Sequence, residues 1–462
     1  MATDLQEALT ASGASALIQK QIDPMLLEYV RRYSPLVRAI PTVKWGSNVY
    51  YFNQRTALVA GGAVQDGGAR PVSTSTYVQN QFTVRNYQSV GAVTGYAQAV
   101  TADLIGNLRA TEIQGAARGL LWDIENDIVW GNSASSLLGP YPHFDGLDTI
   151  VNTYSGDTQN AINWNHGNFD LGTLDQLIDL VEGNVAMPVE SSDWMFVMSP
   201  TANSRIAQLL TNQQRFNDRV EIAAGLIVPS YRNVPIVKTS FLSPRSDQQT
   251  TVTSSVQASG GSLAAGNYKY QVAPIQARYG EIQASVEVAA NSVASNGTVT
   301  LSWTPNTGPD GAAPNTYKLF RTAVNGGTGT ETLLGYFDAY VQDSAGNVWQ
   351  VNQVVDTGAN LVPGYYNGST TVTNYAGNPT GYVGTNSSVL PLQSGDNNVF
   401  LLSRDSNFIV RPYVRDMTAV DLYPTTASPD SLPFAFVSDC TLAVRAAKFL
   451  GRVSSASVSL SS

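Results

Sequence analysis

Charge and cysteine are both scarce in this chain. Only 13% of its 462 residues are charged, against about 25% in an average globular domain. A freely diffusing protein stays soluble through a well-charged surface, so this scarcity indicates that much of the surface contacts other protein surface. A secreted β-rich protein is the alternative interpretation of the same composition.

The few cysteines and histidines exclude several kinds of stabilising site. Cys440 is the single cysteine and cannot form an intramolecular disulfide, and the two histidines, His143 and His166, have no zinc-site spacing. The glycine-rich segment AGGAVQDGGA lacks the order of a phosphate-binding loop. We therefore predict no cofactor and no metal.

The net charge of −9 and the pI near 4.8 argue against tight binding of nucleic-acid phosphates. An acidic protein can still enclose DNA without adsorbing it. The N-terminal segment has neither a basic region nor a continuous apolar region, and no later stretch reaches the ~18 apolar residues of a membrane span. We expect folding in a cytoplasm and no membrane association.

The first 95 residues predict two extended features. Residues 1–43 read as an arm with a short helical pattern, interrupted where Pro35 and Pro41 disfavour helix. β-prone segments at 48–52 and 77–93 flank a glycine-rich stretch at 60–75. This arrangement predicts a long β-hairpin flap over 44–95, whose tip cannot pack a core of its own.

Residues 101–131 carry the strongest helix signal. Thr101 or Asp103 is the predicted N-cap, and Gly131 is suitably placed to end the helix. A helix of this length spans about 45 Å. Apolar residues recur mostly at steps of three and four, at Leu104, Leu108, Ile113, Ala117, Leu120, Ile124 and Ile128.

The remainder divides into an α/β part and a β-rich part. Helices at 171–185 and 201–216 alternate with strands at 193–200 and 233–242. From 247 to 395 helical periodicity disappears, and short strands alternate with Gly, Ser, Thr and Asn around a buried-type Trp303. These features predict an inserted immunoglobulin-like or fibronectin-like β-sandwich. Long β runs return at 398–417 and 432–453.

This order of parts resembles the major capsid proteins of tailed bacteriophages, the Hong Kong ninety-seven type. The most specific matches are SYRNVPIVKTSFL at 230–242, FLLSRDSNFIVRPYVRDM at 400–417 and SDCTLAVRAAKFLGRV at 438–453. The resemblance covers roughly 1–245 and 396–462. It implies an α+β fold with an N-terminal arm at 1–43, an extended loop at 44–95, a peripheral domain at 96–170 and 417–462, an axial domain at 171–246 and 396–416, and the insertion at 247–395.

The resemblance implies a structural protein and not an enzyme. Its copies would assemble as hexamers and pentamers into an icosahedral shell around double-stranded DNA, without sequence-specific binding. Portal and scaffold proteins, and a decoration protein, would be its partners in a virion assembled in the host cytoplasm. Some relatives cross-link through a lysine on the extended loop; residues 46–90 contain none, so this chemistry is not carried over.

Three sets of residues are predicted to serve assembly. The flap would lie on a neighbouring subunit, the long helix would support it, and arginines of the axial part would line contacts between subunits. The predicted residues are Gly61, Gly62, Gly67, Gly68 and Arg70 on the flap, Leu104, Ile113, Leu120, Ile124 and Ile128 on the helix, and Arg205, Arg215 and Arg219 in the axial part.

Catalytic and ligand-binding interpretations are weaker. Asp123 and Asp127 share a helix face, which is typical of a solvated or salt-bridged surface. His143 and His166 could join Asp145 or Asp170 in a metal or acid-base site, although loop roles are more common. An aromatic set on the insertion could bind sugars or pack the sandwich: Tyr336, Tyr340, Tyr365, Tyr366, Tyr375 and Trp349. Two alternatives to a phage shell protein remain: an encapsulin-like compartment shell and a glycan-binding adhesin.

Overall fold

A computed structural model describes residues 35–59, 61–66, 68, 73–105, 107–133, 142–153, 160–212, 219–223, 226–242, 250–276, 279–305, 313–343, 345–366, 371–373, 389–424 and 430–458. The fold is α+β, as predicted. Among these residues, none of the helices has the length and apolar character needed to cross a membrane. The helices are α1 (Leu36–Ala39), α2 (Gly95–Ile105), α3 (Leu108–Trp130), α4 (Leu147–Thr153), α5 (Leu171–Val185) and α6 (Pro200–Asn212).

A seven-stranded mixed sheet forms the centre of the body, which we define as the described chain outside 250–373. Two of its neighbour pairs are parallel, and the others are antiparallel. In spatial order the strands are β5 (Ala161–Asn163), β26 (Leu450–Ser457), β22 (Asp396–Ser403), β6 (Trp194–Met198), β9 (Val234–Lys238), β8 (Leu226–Tyr231) and β7 (Arg219–Ala223).

Alternating residues of this sheet enter two different cores. Phe196 of β6 and Leu401 of β22 pack with the apolar faces of α5 and α6. Val197 and Phe400, each one residue away, pack on the other side with α3 and α4. Both faces are covered because successive strand residues point in opposite directions, which accounts for the continuous apolar sequence WMFVM.

A second sheet is packed against α3 and carries the flap at its side. Its order is β1 (Thr42–Lys44), β23 (Ile409–Asp421), β24 (Ser431–Cys440) and β4 (Arg85–Thr94), with β25 (Ala443–Val444) also paired to β23. A hairpin lies within the predicted range, since β2 (Val49–Ala57) pairs antiparallel with β3 (Thr76–Thr83), but the later part of the predicted second strand is β4, which pairs with β24 instead. Residues 60, 67 and 69–72 of the predicted tip lie outside the described part.

The insertion contains two five-stranded sheets whose inner faces share one core, including Trp303. The outer sheet has β10 (Val252–Gln257), β14 (Thr298–Trp303), β19 (Gln353–Asp356), β20 (Leu361–Tyr366) and β21 (Thr371–Thr373). The inner sheet has β12 (Gly280–Glu281), β11 (Gly266–Gln276), β15 (Pro314–Arg321) and β16 (Thr332–Asp338), with β13 (Val288–Val293) paired to β11. A hairpin of β17 (Tyr340–Gln342) and β18 (Val348–Gln350) adjoins them.

The predicted single helix over 101–131 is two helices. Asn107 caps α3 by accepting a hydrogen bond from the amide of Ala110, whereas Thr101 lies inside α2 and its hydroxyl donates to the Ala97 carbonyl. The predicted caps Thr101 and Asp103 are therefore wrong, and Gly131 ends α3 as predicted. At 1.5 Å per residue the 23-residue α3 spans about 34 Å.

Two boundary predictions also differ from the structure. Leu36, Val37 and Ile40 are buried in the body's core, so the described end of the predicted arm is part of the body; residues 1–34 lie outside the described chain. The segment 417–462 does not stay together. β24 lies in the sheet beside α3, while β26 joins the central sheet beside β22.

Candidate assembly surfaces and buried polar clusters

The flap is anchored at its base by aromatic packing. Tyr50 and Phe82 are buried against Val410 and Ala443 of the second sheet. Phe52 stacks on Phe82 with ring centroids 5.8 Å apart, and the Arg445 guanidinium donates to the Tyr50 hydroxyl. The direction in which the hairpin leaves the body is therefore set by side-chain packing at its base.

Beyond this base the flap is exposed and nearly uncharged, with large apolar side chains among uncharged polar ones. Arg55 is the one charged residue in its two strands. Tyr77 is 66% exposed and Leu58 is 67% exposed, and Tyr51, Val59 and Val78 also face solvent. A two-stranded hairpin is marginally stable alone, and no third strand pairs with it among the described residues. This is the composition of a surface that contacts protein.

A second exposed apolar surface lies at the far end of β4, β23 and β24, beside α2. We call it the distal end: residues 90–100, 418–424 and 430–433. The Asp430 carboxylate accepts from the Tyr96 amide at 3.1 Å and so fixes the start of α2. Tyr423 is 91% exposed. The other exposed apolar residues here are Val90, Tyr96, Val100, Val420, Leu422 and Leu432.

The predicted assembly residues are distributed unevenly over these surfaces. Gly61, Gly62 and Gly68 are exposed on the flap, while Gly67 and Arg70 lie outside the described part. Leu120, Ile124 and Ile128 are buried in the protomer's own core and have no surface to offer a neighbouring subunit. Their role is to hold α3 against the sheets.

The remaining predicted residues that the structure describes lie on different elements. Ile113 is half-buried on α3, and Leu104 belongs to α2. Arg205 is half-buried on α6, Arg219 begins β7, and Arg215 lies outside the described residues. The distal end is a separate surface whose exposed apolar residues were not predicted. Its signal is the run of apolar residues at the free ends of strands.

Of the acidic residues of α3, Glu125 and Asp127 are buried, Asp123 is half-buried and Glu112 is exposed, so at Asp127 the predicted face is salt-bridged and not solvated. Asp127 accepts a hydrogen bond from the Tyr87 hydroxyl and lies 2.6 Å from Nδ1 of His143. Burial alone would lower the pKa of His143, but the nearby Asp127 carboxylate outweighs it and raises that pKa. Burial and the same carboxylate raise the pKa of Tyr87. The cluster ties α3, β4 and the 142–146 segment together.

Glu125 is a second buried carboxyl group. Its oxygens accept from the Leu36 amide at 3.1 Å and from the Thr239 hydroxyl at 2.8 Å. Burial raises the pKa of Glu125 to about 8, despite the opposing effect of these hydrogen bonds. The residue is therefore protonated near neutral pH, and it connects α1 to the segment after β9.

The histidines do not form the sites considered from the sequence. His143 is paired with Asp127, and His166 lies 2.6 Å from Asp396, so neither Asp145 nor Asp170 is the partner. Within the described chain, no group of three or more His, Cys, Asp or Glu residues could hold a metal ion. His166 and Asp396 are 230 residues apart, and His143 reaches back 16 residues to Asp127 on α3, so neither partner was among the nearby carboxylates considered from the sequence.

The aromatic set on the insertion is divided. Tyr336 is buried at the junction with the body, where its hydroxyl donates to Asp148. Trp349 stacks on Tyr365 with centroids 5.0 Å apart, and Tyr366 is exposed beside them. Tyr375 lies outside the described residues. Tyr340 and Tyr365 are half-buried against the sandwich core. The predicted set therefore combines a buried residue, half-buried residues and exposed ones.

A buried ion cluster joins the insertion to the body. Lys318 of β15 lies 2.8 Å from Asp148 of α4 and 2.7 Å from Glu281 of β12. Arg452 of β26 lies 3.0 Å from the other Asp148 oxygen. All four side chains are at most 2% exposed. None of these four residues was predicted to have a role.

No family model matches the chain, and no curated protein matches it. Solved structures show distant overall similarity along nearly the whole length. The holo-SrpI encapsulin complex of Synechococcus elongatus PCC 7942 is 11% identical, with 98% of each chain covered and a TM-score of 0.46. The capsid of a native GTA particle is 9% identical, with 98% of this chain and 100% of the other covered and a TM-score of 0.46. A structure of Mycobacterium phage Bobi is 11% identical, with 97% and 98% covered and a TM-score of 0.44.

Proposed function

We propose that this chain is the major capsid protein of a tailed bacteriophage, which assembles with copies of itself into a closed icosahedral shell. The observation that carries the proposal is the flap. It is a hairpin of β2 and β3 that is anchored at its base and exposes Tyr51, Tyr77 and Val78 without packing a core of its own. Such a segment is stabilised when another subunit covers it.

The second exposed surface supports the same conclusion. The distal end presents Tyr96, Tyr423 and Leu432 on the opposite ends of the strands that anchor the flap region. Two separate apolar surfaces on one subunit permit contacts with different neighbours. Repeated contacts between different surfaces generate closed rings and shells when the rotations close.

The finer features of the proposal follow from the resemblance and from charge. The subunits would form hexamers and pentamers, and portal, scaffold and decoration proteins would complete the particle in the host cytoplasm. The shell would enclose double-stranded DNA without sequence-specific contacts, in agreement with a net charge of −9. We further propose a structural role without catalysis, and an immunoglobulin-like character for the inserted sandwich.

The direct test is negative-stain electron microscopy with light scattering on the protein co-expressed with its neighbouring genes. Closed particles of tens of nanometres are expected. A monomer under all assembly conditions would overturn the proposal and lead to glycan-binding assays. Particles filled with DNA would identify a virus, whereas particles filled with a cargo protein would identify an encapsulin-like compartment.

A flap variant tests the observation that carries the proposal. Replacing Tyr77 and Val78 by serine removes exposed apolar surface from β3, and we expect particle formation to fall sharply while the subunit's unfolding transition is unchanged. Val286→Ser is the matched control, since Val286 is 75% exposed on the insertion. Equal particle yields from the flap variant and the control would contradict an assembly role for the flap.

A further inference from the structure

One face of the inserted sandwich is buried against the body. In β15, Tyr317 and Leu319 point into the sandwich core, while Phe320 packs in the core of the body. In β11, Val272 and Ala273 divide in the same way. The inner sheet is thus covered on both faces, by the outer sheet on one side and by the body on the other. A separately folded appendage would present a polar outer face instead.

The buried face contains the ion cluster of Lys318, Glu281, Asp148 and Arg452. Its charges balance, with two cations and two carboxylates, and each member comes from a different element. Lys318 also lies 4.9 Å from the ring centre of Trp130 on α3. The Tyr336 hydroxyl donates to Asp148 at 3.0 Å, and Asn152 accepts from Arg452 at 2.6 Å.

The cluster spans the junction, with one basic and one acidic residue on each side. Lys318 and Glu281 belong to the insertion, and Asp148 and Arg452 belong to the body. Burial disfavours the charged Lys318, but the two carboxylates outweigh it and raise its pKa. Burial would raise the pKa of Asp148, but Lys318 and Arg452 outweigh it and lower that pKa, whereas burial raises the pKa of Glu281 despite the nearby Lys318. Separating the insertion from the body would break the Lys318–Asp148 contact and leave only the Lys318–Glu281 and Asp148–Arg452 pairs, each without the charge from the other side.

We infer that the inserted sandwich is an integral layer of the protomer, coupled to the body through the buried Lys318–Asp148 contact, so that both unfold as one cooperative unit. This inference concerns the single subunit and does not depend on the proposed capsid role. The insertion is therefore more than a domain joined by linkers, because the contact between the two parts is a shared core.

Hydrogen exchange under increasing denaturant tests the coupling on the full chain. The amides of β14 and β19 report on the outer sheet of the sandwich, and those of β6 and β22 report on the body. In the wild-type protein we expect both sets to exchange through the same opening, with the same denaturant dependence. A smaller, separate opening of the sandwich amides would overturn the inference.

A substitution in the outer sheet of the sandwich makes the test more specific. Leu301 of β14 is fully buried in the sandwich core, away from the body. Leu301→Ala should increase the unfolding equilibrium constant on the order of 30-fold or more. If the layers are coupled, exchange rises by the same factor in β6 and β22 as in β14. A rise confined to the sandwich would contradict coupling.

Lys318→Met tests whether the ion contact carries the coupling. In this background, Leu301→Ala should accelerate exchange in the sandwich more than in the body. Adding Glu281→Gln restores charge balance and should recover part of the lost stability. Lys269→Met is the control, since Lys269 pairs with Glu287 at 2.9 Å in a partly exposed position of the same sheet. If Lys318→Met behaves like Lys269→Met, the coupling does not depend on the ion contact. If Lys318→Met does not fold, the results for the wild-type protein and for Leu301→Ala decide whether the two parts are coupled.

Discussion

Polar residues on α3 change their surroundings along the helix. Glu112 near its start is exposed, whereas Glu125 and Asp127 near its end are buried with partners from distant segments. The change occurs because the helix begins beside the second sheet and ends between both sheets and the insertion. Acidic residues are therefore exposed to solvent at the start of α3 and belong to buried polar clusters at its end.

Glu125 predicts a pH-dependent stability. Its pKa is raised from 4.5 in the unfolded chain to about 8 in the folded one, so its stabilising contribution is complete below pH 4.5 and is lost as the pH rises through about 8. The free energy of unfolding should fall by up to about 1.4 kcal/mol per pH unit within this window. Glu125→Gln should remove this slope. Urea unfolding at several pH values measures it, and Glu112→Gln is the exposed control; an unchanged slope in Glu125→Gln would contradict the assignment.

Gly280 lies where a side chain would meet two neighbours. Its φ is +75°, and a Cβ atom would lie 2.5 Å from both the Trp130 indole nitrogen and the Phe241 carbonyl oxygen. Gly329 has a φ of +76° and open space around it. In both alanine variants the free energy of unfolding should fall by about 1 kcal/mol because of the left-handed backbone conformation. In Gly280→Ala it should fall by about 1–3 kcal/mol more because of the clash. Thermal unfolding of the two variants gives the difference, and equal losses would exclude the clash.

At the scale of elements, α5 begins with a complete capping box. The Asp170 carboxylate accepts from the Thr173 amide at 2.9 Å, and the Thr173 hydroxyl accepts from the Asp170 amide at 3.3 Å. Asp170→Ala should lower the free energy of unfolding by about 1 kcal/mol. Asp179→Ala, at an exposed position of the same helix, should change it by less than ~0.5 kcal/mol. Chemical denaturation distinguishes them, and similar effects would argue against the cap.

Helix bounds were predicted best where the apolar spacing and the capping residue indicate the same start. The bounds of α5 match the prediction of 171–185 because its apolar spacing and cap agree. α3 was predicted to start too early, because Thr101, Asp103 and Asn107 can all act as caps and the apolar spacing continues from α2 into α3. Only the tertiary packing selects among them.

At the scale of the whole molecule, the order of parts could be predicted and the contacts between them could not. The hairpin, the helix and the two β-rich regions follow from local periodicity. Lys318 lies in the sequence TYKLFR, where strand alternation suggests a solvent-facing lysine. Its partner Asp148 is 170 residues away, and Glu125 is 114 residues from Thr239. No local pattern reports such pairings, and the burial of the inner sheet's second face was missed for this reason.

The nearly uncharged flap has a thermodynamic consequence for assembly. Contacts made through charged surfaces weaken as salt is added, but a hairpin whose strands contain only Arg55 offers little for salt to screen. Particle formation driven by Tyr51, Tyr77 and Val78 should therefore vary little between low and physiological ionic strength, and should weaken on cooling, as apolar association does. Light scattering across salt and temperature measures both responses. We therefore expect cooling to dissociate these particles more readily than added salt does.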